Sequence, residues 1–110
     1  MNEHDLKKGN EIELKVYDLL KTVIDPELGI NIVDLGLIYQ IESDENNVVN
    51  ITMTFSTKDC PMGDMILQTI MTVLNDNLPD VKHKINLTFE PKWTSDFLTP
   101  EGRKQLGITE

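Results

Sequence analysis

Apolar residues recur at Ile12, Val16, Leu19, Leu20 and Val23, the three-and-four spacing that gathers side chains on one side of a helix. Asn10 stands where an N-cap belongs, and Glu13, three residues on, completes a capping box. Pro26 drives Asp25 away from helical angles, so the pattern predicts a helix ending near Ile24, followed by the loop DPELGIN. The period then changes to two. Leu37, Tyr39 and Ile41 alternate with Ile38, Gln40 and Glu42. After the turn cluster SDENN (Ser43 to Asn47), Val49, Ile51, Met53 and Phe55 alternate with Asn50, Thr52, Thr54 and Ser56, which predicts a hairpin with one apolar face.

Helical spacing returns from Pro61 through Ile66, Leu67, Ile70, Val73 and Leu74, with Asp64, Gln68, Asn75 and Asp76 on the outer side and NLPD as the stop. A third strand should follow, with Val81, His83, Ile85, Leu87 and Phe89 facing one way and Lys82, Lys84, Asn86, Thr88 and Glu90 the other. The stretch EPKWTSDFL reads as a loop, after which Thr99 caps a short helix begun by Pro100 and ended by Gly107. Polar second faces on the second and third strands decide the architecture, because a sheet covered on both sides needs apolar residues there. The expectation is an α/β (α+β) two-layer domain in the order α-β-β-α-β plus a short C-terminal helix. Its small, mixed, open sheet carries both long helices on one face, with the helix-linked strands crossing right-handedly. Residues 1–9 lack periodicity and are expected to fray, leaving residues 10–110 as a single domain.

Length and charge narrow the functional classes. A chain of 110 residues with 39% apolar content can bury a core without disulfides or a structural metal. Its single cysteine can form no intramolecular disulfide, and no secretory leader pattern is present, so a cytoplasmic location is expected. No apolar run approaches the roughly 20 residues of a membrane span. A formal charge of -9 repels phosphate backbones and anionic lipid, which argues against nucleic-acid or membrane partners.

The cysteine is Cys60, within TKDCPMGDM at the junction of the second strand and second helix. With Pro61 at the first helical position, Cys60 would be the N-cap, its sulfur facing unpaired N–H groups and the positive end of the helix dipole. Ser, Thr, Asp or Asn would cap better, so either sulfur chemistry selects the residue or it packs as a small hydrophobe. Asp59 and Asp64 oppose thiolate formation while Lys58 favours it. Thr54, Ser56 and Thr57 lead up to the cysteine and either hydrogen-bond a sulfur ligand or form a strand's solvent side. Asp25, Glu27 and Asp34 form a second constellation, read either as turn formers and solvated groups or as carboxylates that hold iron or take a proton beside Cys60. His4 and His83 stand alone, without the partners that a closed zinc site requires.

Three ordered strings, VIDPELGINIVDLGLIYQIE, ITMTFSTKDCPMGDMI and FEPKWTSDFLTPEGRKQLG, closely resemble the SufT/PaaD-like family of metal-sulfur cluster biosynthesis proteins, over about Ile12 to Gly107. The resemblance implies a compact α/β domain similar to the scaffold-type domains of iron-sulfur assembly, acting as an accessory factor in cluster biogenesis or delivery to apo-proteins. The family's recurring polar positions fall on Asp25, Glu27, Asp34, Thr54 and Cys60, with Pro91 and Trp93 in the late string. Many relatives have a small or glycine-rich stretch before the cysteine; this chain has STKD. The extra cysteines of the longer ring-hydroxylation branch do not follow before Glu110, which favours the short cluster-maturation branch.

Clusters are held by about four protein ligands, mostly thiolates, and one cysteine supplies one. The expected role is therefore a labile iron or cluster ligand at Cys60, shared across a homodimer, with a client or with a small thiol, while Asp25 or Glu27 adds an oxygen. A non-catalytic adaptor between cluster donors and clients, using the acidic surface and the aromatics Trp93 and Phe97, is the first alternative. A thiol-dependent enzyme ranks below it, since no base is paired with Cys60.

Overall fold

The computed structural model describes residues 11–57 and 61–107. The expected N-terminal fraying, the cap at Asn10 and Cys60 with its neighbours Lys58 and Asp59 lie outside these residues. Helix α1 (Glu11–Leu20) is followed by two short strands, β1 (Ile24–Asp25) and β2 (Ile30–Asn31), then by β3 (Ile38–Ser43) and β4 (Val48–Met53). Helix α2 (Gly63–Asn77), strand β5 (Lys82–Leu87), a 3-10 turn at Ser95–Phe97 and helix α3 (Pro100–Gln105) complete the chain. The sheet has the order β3-β4-β5, with β3 antiparallel and β5 parallel to β4. This is the expected mixed α/β sheet, its parallel pair joined through α2 as such a pair requires.

Val16 and Leu20 of α1 and Ile66, Ile70 and Leu74 of α2 meet Ile41, Val49, Ile51 and Met53 in one core. Gln40, Glu42, Asn50, Thr52, Lys82, Lys84 and Asn86 line the uncovered face, as the alternation of β4 and β5 requires. Helix α1 is tied to the β3 end by Glu13, whose Oε2 accepts from Ser43 N and Oγ at 2.7 and 2.8 Å. His83 is buried under α2, its Nε2 donating to Leu78 O at 3.2 Å, while Nδ1 has no hydrogen-bond partner among the described residues. None of the described helices is long and apolar enough to cross a membrane.

Several boundaries differ from the sequence expectation. Helix α1 stops at Leu20, not near Ile24, because Thr22 Oγ1 donates back to Leu19 O and the β-branched run Thr22-Val23-Ile24 disfavours further helix. The freed residues pair instead, Ile24 with Asn31 and Asp25 with Ile30, so DPELGIN is a small antiparallel hairpin and not a plain loop. In β3 the register shifts between Ile38 and Gln40, leaving Tyr39 as the extra residue of a bulge and breaking its expected alternation with Leu37 and Ile41. Leu87 is 43% exposed, against the expected inward orientation, since β5 is an edge strand with a neighbour on one side only. Helix α2 begins at Gly63, not at Pro61, and its N-cap is Met62, not Cys60. The Phe55 ring fixes this start: a Cβ on Gly63 would come within 2.8 Å of it.

The bulge turns Tyr39 towards the C-terminal segment, where its hydroxyl donates to Pro91 O at 2.8 Å and its ring meets Phe97 edge-on. Burial raises the phenol above the usual tyrosine value of 10.0, against a smaller opposing effect of a hydrogen bond with Thr54. The folded state thus holds the Tyr39 proton more tightly than the unfolded chain. That contribution is fully present below pH of about 10 and is lost as pH rises through the folded-state value. An ultraviolet titration of wild type should show a late phenolate step that Tyr39→Phe removes, and the wild type's stability advantage over that variant should shrink at alkaline pH. Gly36 and Gly29 both have positive φ, +80° and +72°, but only Gly36 is crowded, a Cβ there lying 2.2 Å from Phe97 O. Gly36→Ala is expected to lower unfolding free energy by about 3 kcal/mol and Gly29→Ala by about 1 kcal/mol in urea denaturation.

Candidate functional site

The carboxylates singled out in the sequence belong to one segment, the β1–β2 hairpin and the turn that follows it. Asp25 is 2% exposed, and its Oδ1 accepts from Glu27 N at 2.8 Å and Leu28 N at 3.3 Å while its carbonyl accepts from Gly29 N. An aspartate before proline forms this kind of turn because its short side chain reaches the amides two and three residues on. Glu27 lies at the exposed tip of the same hairpin. Asp34 closes the next turn: its N–H donates to Asn31 Oδ1 at 2.8 Å, and its Oδ2 accepts from Asn31 Nδ2 at 2.7 Å.

Distant parts of the chain converge on that turn. Thr99 Oγ1 donates to Asp34 Oδ1 at 2.9 Å and itself accepts from Gly102 N at 3.0 Å, so one hydroxyl caps α3 and docks it on the turn. Thr99 N donates to Asp34 O at 2.9 Å. Trp93 packs against the core and donates its indole N–H to Leu35 O at 2.7 Å. Asp34 therefore has both carboxylate oxygens and both main-chain groups engaged. The structure thus joins the first and last of the three sequence strings, which lie far apart along the chain.

Thr54 is fully buried, not on a solvent face, because β4 ends at Met53 and the chain turns inward. Its N–H donates to Leu37 O at 2.9 Å, directly after Gly36, and its hydroxyl is within hydrogen-bonding reach of Phe55 O and of Tyr39. Ser56 is half-buried and Thr57 exposed, so the chain emerges from the core towards the segment that carries Cys60. Among the described residues, no group of three or more His, Cys, Asp or Glu side chains is placed to hold a metal ion. The whole chain carries one cysteine, against the roughly four ligands, mostly thiolates, that an iron-sulfur cluster takes.

Sequence reasoning missed the groove beside this exit. A cavity of about 460 Å³ is lined by Phe55, Ser56, Thr57, Phe89, Glu90 and Lys92. It lies just past the carboxyl ends of the parallel pair β4 and β5, where Met53 is in register with Leu87. The parallel pairing implied by the order strand, helix, strand was the available signal, because it brings the carboxyl ends of both strands to the same edge of the sheet.

Comparison with known proteins places this architecture. Residues 13–87 match the family model described as iron-sulfur cluster assembly protein. The chain is 39% identical over 88 residues to the Fe-S protein maturation auxiliary factor SufT of Staphylococcus aureus, covering 79% of this chain and 99% of that protein. It is likewise 39% identical over 94 residues to the Fe-S protein maturation auxiliary factor YitW of Bacillus subtilis, covering 84% and 91%. The crystal structure of a domain of unknown function, DUF59, from Bacillus anthracis superposes with a TM-score of 0.86 at 38% identity, over 94% of this chain and 99% of that one. With the matched region running from α1 through β5, the chain belongs to the iron-sulfur cluster assembly protein family.

Proposed function

We propose that the protein is an accessory factor in the assembly of iron-sulfur clusters or their transfer to apo-proteins, acting in the cytoplasm, with Cys60 as a labile ligand to iron or cluster in transit. The carrying observation is the near full-length similarity to proteins named Fe-S protein maturation auxiliary factors. The donor set supports transfer over storage. One cysteine cannot complete a cluster's coordination, so the remaining ligands come from a second copy, a donor or client protein, or a small thiol. Ligands contributed by different molecules exchange more readily than a closed set, which suits a cargo that must leave.

Within this reading Asp25 and Asp34 act by shape. Their side chains are engaged in the turns they form, and the Asp34 turn leads into Leu37, whose carbonyl accepts from Thr54 N at the base of the segment leading to Cys60. Glu27 lies at the exposed hairpin tip, and Thr57 is the hydroxyl nearest in sequence to the cysteine. Thr54 contributes from inside, by fixing the end of β4.

Anaerobic reconstitution with ferrous iron and sulfide tests the carrier role. Wild type should gain visible absorbance and bound iron, and Cys60→Ser should lose both while melting at the wild-type temperature. In cells depleted of the native gene, Cys60→Ser should fail to restore client maturation; a fully active variant would refute the ligand role. Uptake by neither protein, with wild-type complementation intact, would move the function to an adaptor. Asp34→Asn should behave oppositely to the cysteine variant, costing about 1–2 kcal/mol in denaturant unfolding through its bonds to Thr99 and Asn31.

A further inference from the structure

The cavity past β4 and β5 has a chemical signature of its own. Its volume, about 460 Å³, falls within the roughly 300–1,000 Å³ usual for small-molecule sites. Phe55 and Phe89 supply apolar wall, and the hydroxyls of Ser56 and Thr57 supply hydrogen-bonding capacity. Among the described residues that line it, Glu90 and Lys92 carry opposite charges from positions flanking Pro91, and neither forms an ion pair with another described residue.

That combination discriminates among ligands by charge. A simple anion would gain Lys92 and be repelled by Glu90; a simple cation would meet the reverse. A molecule carrying both charges satisfies the two together, and an apolar or sulfur-bearing side chain suits the phenyl walls. We propose that this cavity binds a small zwitterion, an amino acid or dipeptide, with its ammonium towards Glu90, its carboxylate towards Lys92 and its side chain against Phe55 and Phe89. An internal segment of a protein chain lacks both terminal charges and is disfavoured on the same grounds. Binding of this kind needs no metal, so the inference stands or falls separately from the carrier reading.

The test is calorimetric titration of the metal-free full chain with the dipeptide Phe-Gly, its N-acetyl form and its C-terminal amide. Phe-Gly should saturate wild type, and blocking either terminus should weaken binding about fivefold, as befits one solvent-exposed charge contact. The acetylation penalty should vanish in Glu90→Gln and the amidation penalty in Lys92→Met, each variant keeping its sensitivity to the other block. Both side chains are exposed, so the fold is retained. Absence of saturable binding up to about 10 mM would overturn the proposal. So would blocking penalties that persist unchanged in both variants. Cluster uptake in the absence of dipeptide binding would leave the carrier reading standing and remove this one.

Discussion

The fold turns on the clasp between the C-terminal segment and the turn from Asn31 to Gly36. Three different interactions make it: the Trp93 indole N–H on Leu35 O, the Thr99 hydroxyl on the Asp34 carboxylate, and the close approach of the Gly36 backbone to Phe97 O. All three converge on a single short turn, which supplies both acceptors and the close contact. Glycine is required at the turn's end by both its positive φ and the lack of room for a Cβ. Leu37, next in the chain, is thereby presented to Thr54, so a contact made at the C-terminal end fixes where β4 stops.

Fixing that end matters for the chemistry. Phe55 and Thr54 are both buried, which anchors the chain immediately before it leaves for Ser56, Thr57 and the cysteine-bearing stretch. On the far side of that stretch, the Phe55 ring packs on Gly63 and fixes the first turn of α2. One aromatic side chain therefore holds both ends of the connection between strand and helix. The cysteine-bearing stretch is thus flanked on one side by the buried pair Thr54 and Phe55 and on the other by the packed Gly63.

The sheet, its pairing and its covered face were legible because they follow from periodicity: Val49, Ile51, Met53 and Phe55 alternate, and α2 carries Ile66, Ile70 and Leu74 at helical spacing. The family was legible from three strings whose order and separation are far more specific than any single residue. What escaped the pattern was set by contacts across the chain. The Tyr39 bulge answers to Pro91 and Phe97, the burial of Thr54 to Leu37, and the late start of α2 to Phe55. The reading of Cys60 as N-cap relied on proline's preference for the first helical turn, and the packing of Gly63 against an aromatic ring outweighed that local preference. Asp25 and Asp34 present two readings in the sequence; in the structure Asp25 Oδ1 accepts from two turn amides and Asp34 Oδ2 accepts from Asn31, bonds that sequence spacing alone does not specify.

The parallel pairing of β4 with β5 also carries a kinetic consequence. The β3–β4 hairpin closes through a short local turn, whereas β5 reaches its place only after the whole of α2 has been traversed and packed. Contacts of long sequence separation incur their loop-closure entropy before they are rewarded, so pairing β5 carries a larger closure cost than closing the β3–β4 hairpin. The crevice at the carboxyl ends of this pair exists only once β5 is paired. A chain still emerging from synthesis, or one whose edge strand has transiently detached, holds its hairpin and its cysteine but no crevice. Whatever function resides there is thus withheld from immature molecules by topology alone.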